Sequence, residues 1–521
     1  MSFNRRDFVK FLGGSTALVS GTSILGALSG CATSTKSGIP LMRPSQKDDL
    51  VMNSGLKYEL LLSHGDKINS TESFGFNNDY NAFIPLYGKN DEALFWTNHE
   101  YPHPMFLGTG KRTKEDIVKE QKALGGSIVH IKKDEMGRWQ LVKNSKFNKR
   151  VDGTTEIPII ADRKIAGTKT AIGTFANCAG GITPWGTVLT CEENYHDYYG
   201  EIKFGSKKKK SGELGWDEYF DRSPYHYGWV VEVDLLTAKA KKLTALGRFA
   251  HESATTIKAK DGRTVVYSGD DKVGECLYKF IADKPGSLDK GELFVADVVG
   301  GKWLSLDIKK QPKLKAKFKD QTDVLIHCRD AAKVLGATPL DRPEDVEIQP
   351  GTNNVFVCLT NNKRKNNYHG SILKIEETGN DPLALTFKAS DFAVGGEEAG
   401  FSCPDNIAFD GKGNLWMTTD MSGSAMNKPP YTKFKNNGLF YFPMSGPDAG
   451  VAVQMASAPT DAELTGLCFS ADEKTLFLSI QHPGEKSKSL NALTSTWPFG
   501  PGRNPEPSVV QISGPLMDRL T

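Results

Sequence analysis

Short apolar runs recur along most of the chain, and each is followed by a cluster of polar residues. The runs are rich in β-branched and aromatic residues and are separated by the turn formers Gly, Asn, Asp and Pro. Six of them cover residues 93–97, 187–190, 264–267, 355–359, 415–418 and 476–479. Helical periodicity is confined to residues 114–124 and 330–335. The pattern predicts an all-β protein with loop and short helical insertions.

The order of these runs indicates a repeated structural unit. Hairpins fill the gaps between them, as at residues 126–131, which have a return strand at 139–142. A strand, a turn, a second strand and a hairpin make one four-stranded propeller blade. Six such units predict a six-bladed β-propeller. A propeller with seven blades and a pair of β-sandwich sheets are the alternatives that the pattern leaves open.

One position of the repeat carries residue types that bind metal ions. Aligned by the turn and strand that follow, four successive repeats have Cys178, Glu252, Glu344 and Asp405 at this position. Inner strands of a propeller surround one channel, so we expect these side chains to converge at its mouth. Carboxylates suit calcium and ferric iron, whereas a thiolate favours a transition metal. The last repeat has Thr465 at this position, so the predicted ring of ligands is incomplete.

Composition and charge fit one large folded unit. The chain has 521 residues, of which 38% are hydrophobic and 24% charged, so it can bury a large core. The formal net charge of +3 does not indicate a nucleic-acid partner. We divide the chain into a signal segment at 1–30, a linker at 31–55 and a single catalytic propeller domain at 56–521. We expect a monomer.

The N-terminus predicts export from the cytoplasm. Residues 4–10, Asn-Arg-Arg-Asp-Phe-Val-Lys, resemble a twin-arginine signal, and a stretch without charges follows up to residue 30. Residues 28–31, Leu-Ser-Gly-Cys, resemble a bacterial lipobox and make Cys31 the candidate lipidation site. Ordinary signal cleavage a few residues later is the alternative. The predicted partner is the twin-arginine machinery, and the predicted location is the periplasm or the cell surface.

A longer motif resembles a known family. Residues 177–187 and 190–194, which read NCAGGITPWGT and TCEEN, resemble the signature of the PhoX-type alkaline phosphatases. Residues 342–345 and 269–275 also match, and the resemblance covers nearly the whole mature chain. It implies a β-propeller that hydrolyses phosphomonoesters outside the cytoplasm. It also implies a cofactor of ferric iron, Fe(3+), and calcium, Ca(2+), linked by a bridging oxo or hydroxide group.

The resemblance also implies roles for individual residues. Cys178 matches the iron-binding thiolate, and Arg342 matches an arginine that binds the phosphate of the substrate. The residues matching carboxylate ligands are Glu275 and Glu344, with Glu193, Asp271 and Asp405 as further ligands; the repeat adds Glu252. The residues expected to carry catalysis are Arg342, Glu344 and Cys178.

Three functions follow from the sequence. The first is an exported phosphomonoesterase that acts on small phosphate esters. The second is a lactonase-type propeller hydrolase that uses one calcium ion, which would not require Cys178 or Arg342. The third is a surface binding propeller without enzymatic activity, in which calcium only stiffens the loops. The phosphatase is the leading hypothesis because the resemblance covers nearly the whole mature chain, and because Arg342, two residues before Glu344, matches the family's phosphate-binding arginine.

Overall fold

The N-terminal strands of the protein complete blades that the C-terminal part of the chain begins. The computed structural model describes residues 34–521. Within this range β1 (Val51–Met52) is the outermost strand of the fifth blade and β2 (Lys57–Ser63) that of the sixth. β2 pairs antiparallel with a strand close to the C-terminus, with Lys57 opposite Ser513. This pairing closes the ring of blades.

The first three blades differ in their outer strands. From the channel outward, the first contains β3 (Asn78–Pro85), β4 (Glu92–His99), β5 (Gly125–Lys133) and β6 (Trp139–Leu141), with β7 (Lys149–Val151) also on β5. The second contains β10 (Asn177–Ile182), β11 (Val188–Glu192), β14 (Val230–Asp234) and β15 (Lys239–Leu243), extended by β8 (Glu156–Ile160) and β9 (Thr170–Ile172). The third contains β16 (His251–Lys258), β17 (Thr264–Asp270), β18 (Leu277–Ala282), β19 (Gly291–Asp297) and β20 (Lys302–Ser305). β12 (Glu201–Ile202) and β13 (Lys209–Lys210) form a separate ribbon.

The last three blades are more regular. The fourth contains β21 (Pro343–Ile348), β22 (Val355–Leu359), β23 (Ser371–Glu377) and β24 (Phe387–Val394). The fifth contains β25 (Pro404–Phe409), β26 (Leu415–Thr419), β27 (Gly438–Phe442), β28 (Val453–Ser457) and then β1. The sixth contains β29 (Glu463–Phe469), β30 (Leu476–Gln481), β31 (Ser508–Ser513) and then β2. The predicted six-bladed propeller is confirmed, and each of the six predicted runs lies in the second strand of a blade.

Short helices decorate the loops between strands. In the described part of the chain they are α1 (Pro104–Leu107), α2 (Lys114–Ala123), α3 (His196–Tyr199), α4 (Pro312–Lys315), α5 (Gln321–Ile326), α6 (Cys328–Leu335) and α7 (Pro515–Leu520). Both predicted helices exist, as α2 and α6. A capping box starts α2, because Thr113 accepts from the Asp116 backbone while the Asp116 side chain accepts from the Thr113 backbone. None of these helices is long and apolar enough to cross a membrane.

The segment predicted as a linker is part of the propeller from residue 34 onward. Ile39 and Leu50 are buried in the apolar core of the fifth and sixth blades, and Val51 pairs with Ser457. Asn53 donates two further bonds to backbone carbonyls. Apolar burial and strand pairing therefore fix this segment, although its sequence has little pattern. The predicted signal and the lipidation site Cys31 lie outside the described residues.

Buried aromatic and aliphatic side chains fill the space between neighbouring blades. Phe83 of the first blade stacks on Phe477 of the sixth at 5.8 Å between ring centroids, and Trp139 packs on both rings. The seven cysteines in residues 34–521 are all free thiols, and six of them are buried. This packing holds the inner strands β3, β10, β16, β21, β25 and β29 in a closed ring around the channel.

Candidate metal and phosphate site

The inner strands place ligand-type residues at matching positions. The second residue of five inner strands is Asp79, Cys178, Glu252, Glu344 and Asp405 in turn. All five side chains are buried, and all five line one cavity of about 210 Å³ at the mouth of the channel. The structure thus brings together the four residues that the repeat predicted. It adds Asp79 of the first blade.

Regular strand pairing breaks at or directly after each of these positions. In all six inner strands the register shifts by a β-bulge after the first pairs, as between Asn177 and Gly180. A bulge leaves residues unpaired and redirects their side chains, and bulges are common next to active sites. In four blades the residue two positions before the ligand has a left-handed backbone: Asn77, Ala176, Arg342 and Cys403 have φ between 49° and 57°. The backbone therefore aims these side chains at the channel axis by a shared geometry.

The third and sixth blades use a different backbone geometry. Here the left-handed residue follows the ring position, as Ser253 after Glu252 and Gly466 after Thr465. Gly466 lies so close to the first blade that a Cβ atom there would be 2.2 Å from the Asp79 carbonyl oxygen. Only glycine fits that contact. Thr465 is fully buried, and its hydroxyl bonds to the side chains of Asp79 and Asn406, so the sixth blade supplies a hydroxyl at the ring position.

Blades two and three form what we call the thiol side, which consists of Cys178, Glu193 and Glu252. One ligand atom from each of these residues lies within 4.8 Å of the others. Burial raises the pKa of the Cys178 thiol well above its usual range, and the nearby carboxylates of Glu252 and Glu193 raise it further. Burial likewise raises the pKa of both carboxyl groups, with repulsion from neighbouring acids as the next cause. A bound cation would reverse these shifts, because it stabilises the charged form of every ligand.

Blades five, six and one form the oxygen side. Its members are Asp79, Glu100, Asp405, Asp420 and Glu463. Gln481 Nε2 donates to Asp79 Oδ2 at 3.0 Å and to Glu100 Oε2 at 2.8 Å, so one amide holds two carboxylates. Burial raises the pKa of Glu100 to about 7, and burial together with Glu463 raises that of Asp405 well above its usual range. Oxygen ligands without a thiol suit a hard cation such as calcium.

Arg342 lies between the two sides, on the fourth blade. Its Nε and Nη2 donate to Asp271 at 2.8 and 2.7 Å, and Nη2 is also 2.5 Å from Glu344 Oε1. The Glu344 carboxylate accepts a further bond from Thr360 Oγ1 at 3.0 Å. Within residues 34–521 the Nη1 group of Arg342 has no hydrogen-bond partner. The guanidinium is therefore fixed on one edge and offers its remaining donors to the cavity.

The charges that line the cavity fit a group of bound cations. Ten carboxylates and one thiol surround it, and the basic side chains among its lining residues are Arg342, Lys486 and His482. Lys486 is already paired with Glu485 at 2.7 Å, and His482 Nε2 lies 3.4 Å from Glu463. Buried charges of one sign destabilise each other unless counter-ions bind among them. The donor set therefore suits bound cations, as expected for a metal-dependent phosphatase site.

The predicted residues do not all reach the cavity. Cys178, Glu193, Glu252, Asp271, Arg342, Glu344 and Asp405 line it. Glu275 does not line it: it follows β17 in the loop after Asp271, and its Oε1 accepts from Lys333 of α6 at 2.7 Å. The buried Oε2 of Glu275 has no hydrogen-bond partner within the described chain. The structure thus separates Glu275 from the other predicted ligands by engaging it with a helical insertion.

Five acids and two neighbours that line the cavity are outside the predicted set of site residues. They are Asp79, Glu100, Asp420, Glu463 and Glu485, with Gln481 and His482. Glu100 and Asp420 belong to polar clusters that end predicted strands, so the signal was present for both. Asp79 directly follows Asn78 in the first blade, just as Cys178 directly follows Asn177 in the second. Glu463 lies two residues before Thr465, and no repeat position pointed to it.

Comparison with known proteins identifies the relatives of this chain. Residues 38–484 match the family described as alkaline phosphatase PhoX. The structure is similar to that of Pseudomonas fluorescens PhoX in complex with vanadate, a transition state analogue. The TM-score is 0.83 and the sequence identity is 30%, and the match covers 92% of this chain and 98% of that chain. A gluconolactonase from Xanthomonas campestris has a TM-score of 0.35 and 10% identity, with coverage of 91% of this chain and 99% of that chain. That likeness carries no conclusion about activity. No curated protein matches.

The family match spans most of the chain, and the similar structure covers nearly all of it. Together with the buried acidic cavity they favour the phosphatase hypothesis over the lactonase-type and binding-only alternatives. The family consists of metal-dependent phosphatases, and small phosphate esters are their substrates. This chain belongs to the PhoX alkaline phosphatase family and is a phosphomonoesterase.

Proposed function

We propose that the hydrolysis takes place at a centre of ferric iron and calcium in the cavity, and that the chain holds each metal with a different set of ligands. The thiol side would bind iron, because Cys178 supplies a soft ligand and Glu193 and Glu252 supply hard ones. The oxygen side would bind calcium, which takes six to eight oxygen ligands in flexible arrangements. The single observation that supports this most is the charge of the lining, ten carboxylates and a thiol around one cavity.

The metals would supply positive charge where the phosphate binds, polarise its oxygens and stabilise the charge that develops during displacement of the alcohol. The protein side chains would orient the ester among these charges. A phosphomonoester is a dianion, so the acidic cavity repels it until cations occupy the ligands. We therefore infer that metal binding precedes substrate binding.

Arg342 is proposed as the phosphate-binding residue. Asp271 holds its Nε and Nη2, and Glu344 also contacts Nη2, so the plane of the guanidinium is set before the substrate arrives. Fixing the arginine in advance lowers the entropy lost when it binds the phosphate oxygens. Its Nη1 donors would then contact the phosphate. Glu344 would act twice, as a metal ligand and as a support for Arg342.

Asp271 has a positioning role in this proposal in addition to its predicted role as a ligand. Both of its carboxylate oxygens accept from Arg342. Glu275, the remaining predicted ligand, stays a prediction, since its contact with Lys333 lies outside the cavity lining. We also propose export by the twin-arginine route with Cys31 as a lipid anchor, on the N-terminal sequence alone.

The test is elemental analysis of the purified native protein combined with hydrolysis of p-nitrophenyl phosphate. Iron and calcium are expected together, and Arg342→Ala should lower kcat/KM by about 100-fold, a typical effect of removing a group that stabilises transition-state charge. Arg503→Ala, at an exposed residue far along the chain, is the matched control. Phosphate release by protein that holds neither metal would refute the proposed centre. Full activity of the Arg342→Ala variant would refute the proposed phosphate-binding role of Arg342.

A further inference from the structure

A second, smaller cavity opens beside the metal and phosphate site. We call it the side cavity; it has a volume of about 100 Å³. Arg342, Asp420 and Ser422 line both cavities, so the two meet at the arginine proposed to bind phosphate. A space of this size accommodates several non-hydrogen atoms. The alcohol portion of a bound ester must project from the phosphate, and the side cavity is adjacent space of suitable size.

The two cavities differ strongly in charge. Ten carboxylates line the main cavity, whereas Asp420, which is shared, is the carboxylate that lines the side cavity. Lys363 and Arg342 provide two positive charges there, and Asn361, Ser422 and Tyr431 provide neutral polar groups. The side cavity is therefore built for a polar or anionic group and lacks the donor set of a metal site.

The residue that precedes Arg342 fixes the loop that carries Lys363. Asp341 Oδ1 accepts from Asn362 Nδ2 and from Lys365 Nζ, both at 2.7 Å, and its Oδ2 accepts from Asn367 Nδ2 at 3.2 Å. The backbones of Asn362 and Asn367 also bond to each other in both directions. These bonds tie both ends of the loop to Asp341, two residues before the first strand of the fourth blade. The loop thereby places Lys363 on the lining of the side cavity, which Arg342 also lines.

The side chain of Lys363 has no partner among the described residues. Its side chain is exposed, and within residues 34–521 it forms no ion pair or hydrogen bond. Its neighbour Arg364 is also exposed but does not line the side cavity. An unpaired ammonium group at the edge of a substrate cavity attracts anions at little desolvation cost.

We propose that the side cavity receives the alcohol portion of the ester, and that Lys363 pairs with a second anionic group on it. The preferred substrates are then phosphomonoesters whose alcohol carries a carboxylate or a second phosphate. This inference rests on the proposed phosphate site at Arg342, because the position of the alcohol depends on where the phosphate binds. It adds a determinant of substrate preference that lies outside the metal ligands.

The test compares two esters that differ in one anionic group, 3-phosphoglycerate and glycerol 3-phosphate. Metal-replete protein should show a higher kcat/KM for 3-phosphoglycerate. Lys363→Met should reduce that preference about fivefold, mainly through KM, which is the size expected for a partly exposed ion pair. Lys363→Arg should retain the preference, and Arg364→Met should leave kcat/KM unchanged for both esters. Added salt should weaken the preference by screening the pair.

The outcomes separate this inference from the proposed function. If the wild-type protein hydrolyses both esters but Lys363→Met leaves their ratio unchanged, the phosphate site stands and the subsite is overturned. An equal loss for both esters in Lys363→Met also overturns it, because the lysine would then act on the shared phosphate or on the fold. If metal-replete protein hydrolyses neither ester, the proposed centre fails and the subsite fails with it.

Discussion

The thiol side and the oxygen side of the cavity face each other across one channel, but they differ in chemistry. The thiol side has three ligands whose donor atoms lie within 4.8 Å of one another, and one of them is sulfur. The oxygen side has five carboxylates spread over three blades, held partly by hydrogen bonds from Gln481. A compact mixed set suits a small transition-metal ion, and a wide set of oxygens suits calcium. Equivalent inner-strand positions thus contribute a thiol and a carboxylate, Cys178 and Glu252, to one side and two carboxylates, Asp79 and Asp405, to the other.

Selective removal of calcium is the strongest way to break this comparison. A calcium-preferring chelator should strip the oxygen side and abolish phosphate release, because the acids left behind repel the substrate dianion. Iron should stay bound, since the thiolate and its two carboxylates do not depend on the oxygen side. Metal content and the rate of p-nitrophenyl phosphate hydrolysis are measured before chelation, after it and after calcium is added back. Undiminished activity in protein shown to lack calcium would contradict the assignment.

Paired substitutions should separate the two sides residue by residue. Cys178→Ser should remove iron and lower activity. The loss should exceed the roughly 10–100-fold loss that follows when a residue supporting a metal ligand is replaced. Asp405→Asn should lower calcium content while iron is retained, because Asp405 is outside the thiol cluster. Each variant serves as the control for the other, with both metals measured in both proteins. Loss of iron from Asp405→Asn but not from Cys178→Ser would reverse the assignment.

The pH dependence of the metal-free protein offers a test that does not depend on activity. Burial raises the pKa of Glu463 and Glu252, so the folded metal-free protein binds more protons than the unfolded chain above about pH 4.5. Its stability therefore falls as the pH rises through and above that value. Bound cations remove this trend, because they favour the charged carboxylates.

The measurement is the melting temperature of metal-free and metal-replete protein at about pH 5 and about pH 8. The metal-free protein should melt at a lower temperature at the higher pH, and the metal-replete protein should change less. Glu463→Gln should flatten the trend, whereas Glu213→Gln, at an exposed residue, should not. A metal-free protein that becomes more stable towards the higher pH would show that these acids are not buried together.

The sequence predicted much of this site because strand position and chemistry repeat together. The recurring ligand-type residues mark the inner strands directly, since each is the second residue of its strand. They are Cys178, Glu252, Glu344 and Asp405. Asp79 was missed because its strand precedes the first apolar run that marked a blade. The partners of Glu275 could not be predicted either. They depend on how α6, about 60 residues further on, packs against its loop, with Lys333 at 2.7 Å.

The ring position of the sixth blade should have the smallest effect. Thr465 supplies a hydroxyl where the other five blades supply a thiol or a carboxylate, and it bonds to Asp79 and Asn406. Thr465→Val keeps the shape of the side chain but removes its hydroxyl and the hydrogen bonding. The free energy of unfolding should therefore fall by about 1–2 kcal/mol. Activity should fall only a few-fold, because Asp79 keeps its bond from Gln481 at 3.0 Å.

Chemical denaturation measures this loss, and Thr378→Val is the matched control. Thr378 lies in an exposed turn with its hydroxyl 2.8 Å from that of Thr386, so its replacement should change stability by less than about 0.5 kcal/mol. If Thr465→Val instead lost metal and activity as severely as Cys178→Ser, the hydroxyl would be a ligand in its own right. The ring would then be complete in all six blades, and Thr465 would join the oxygen side as a further oxygen ligand.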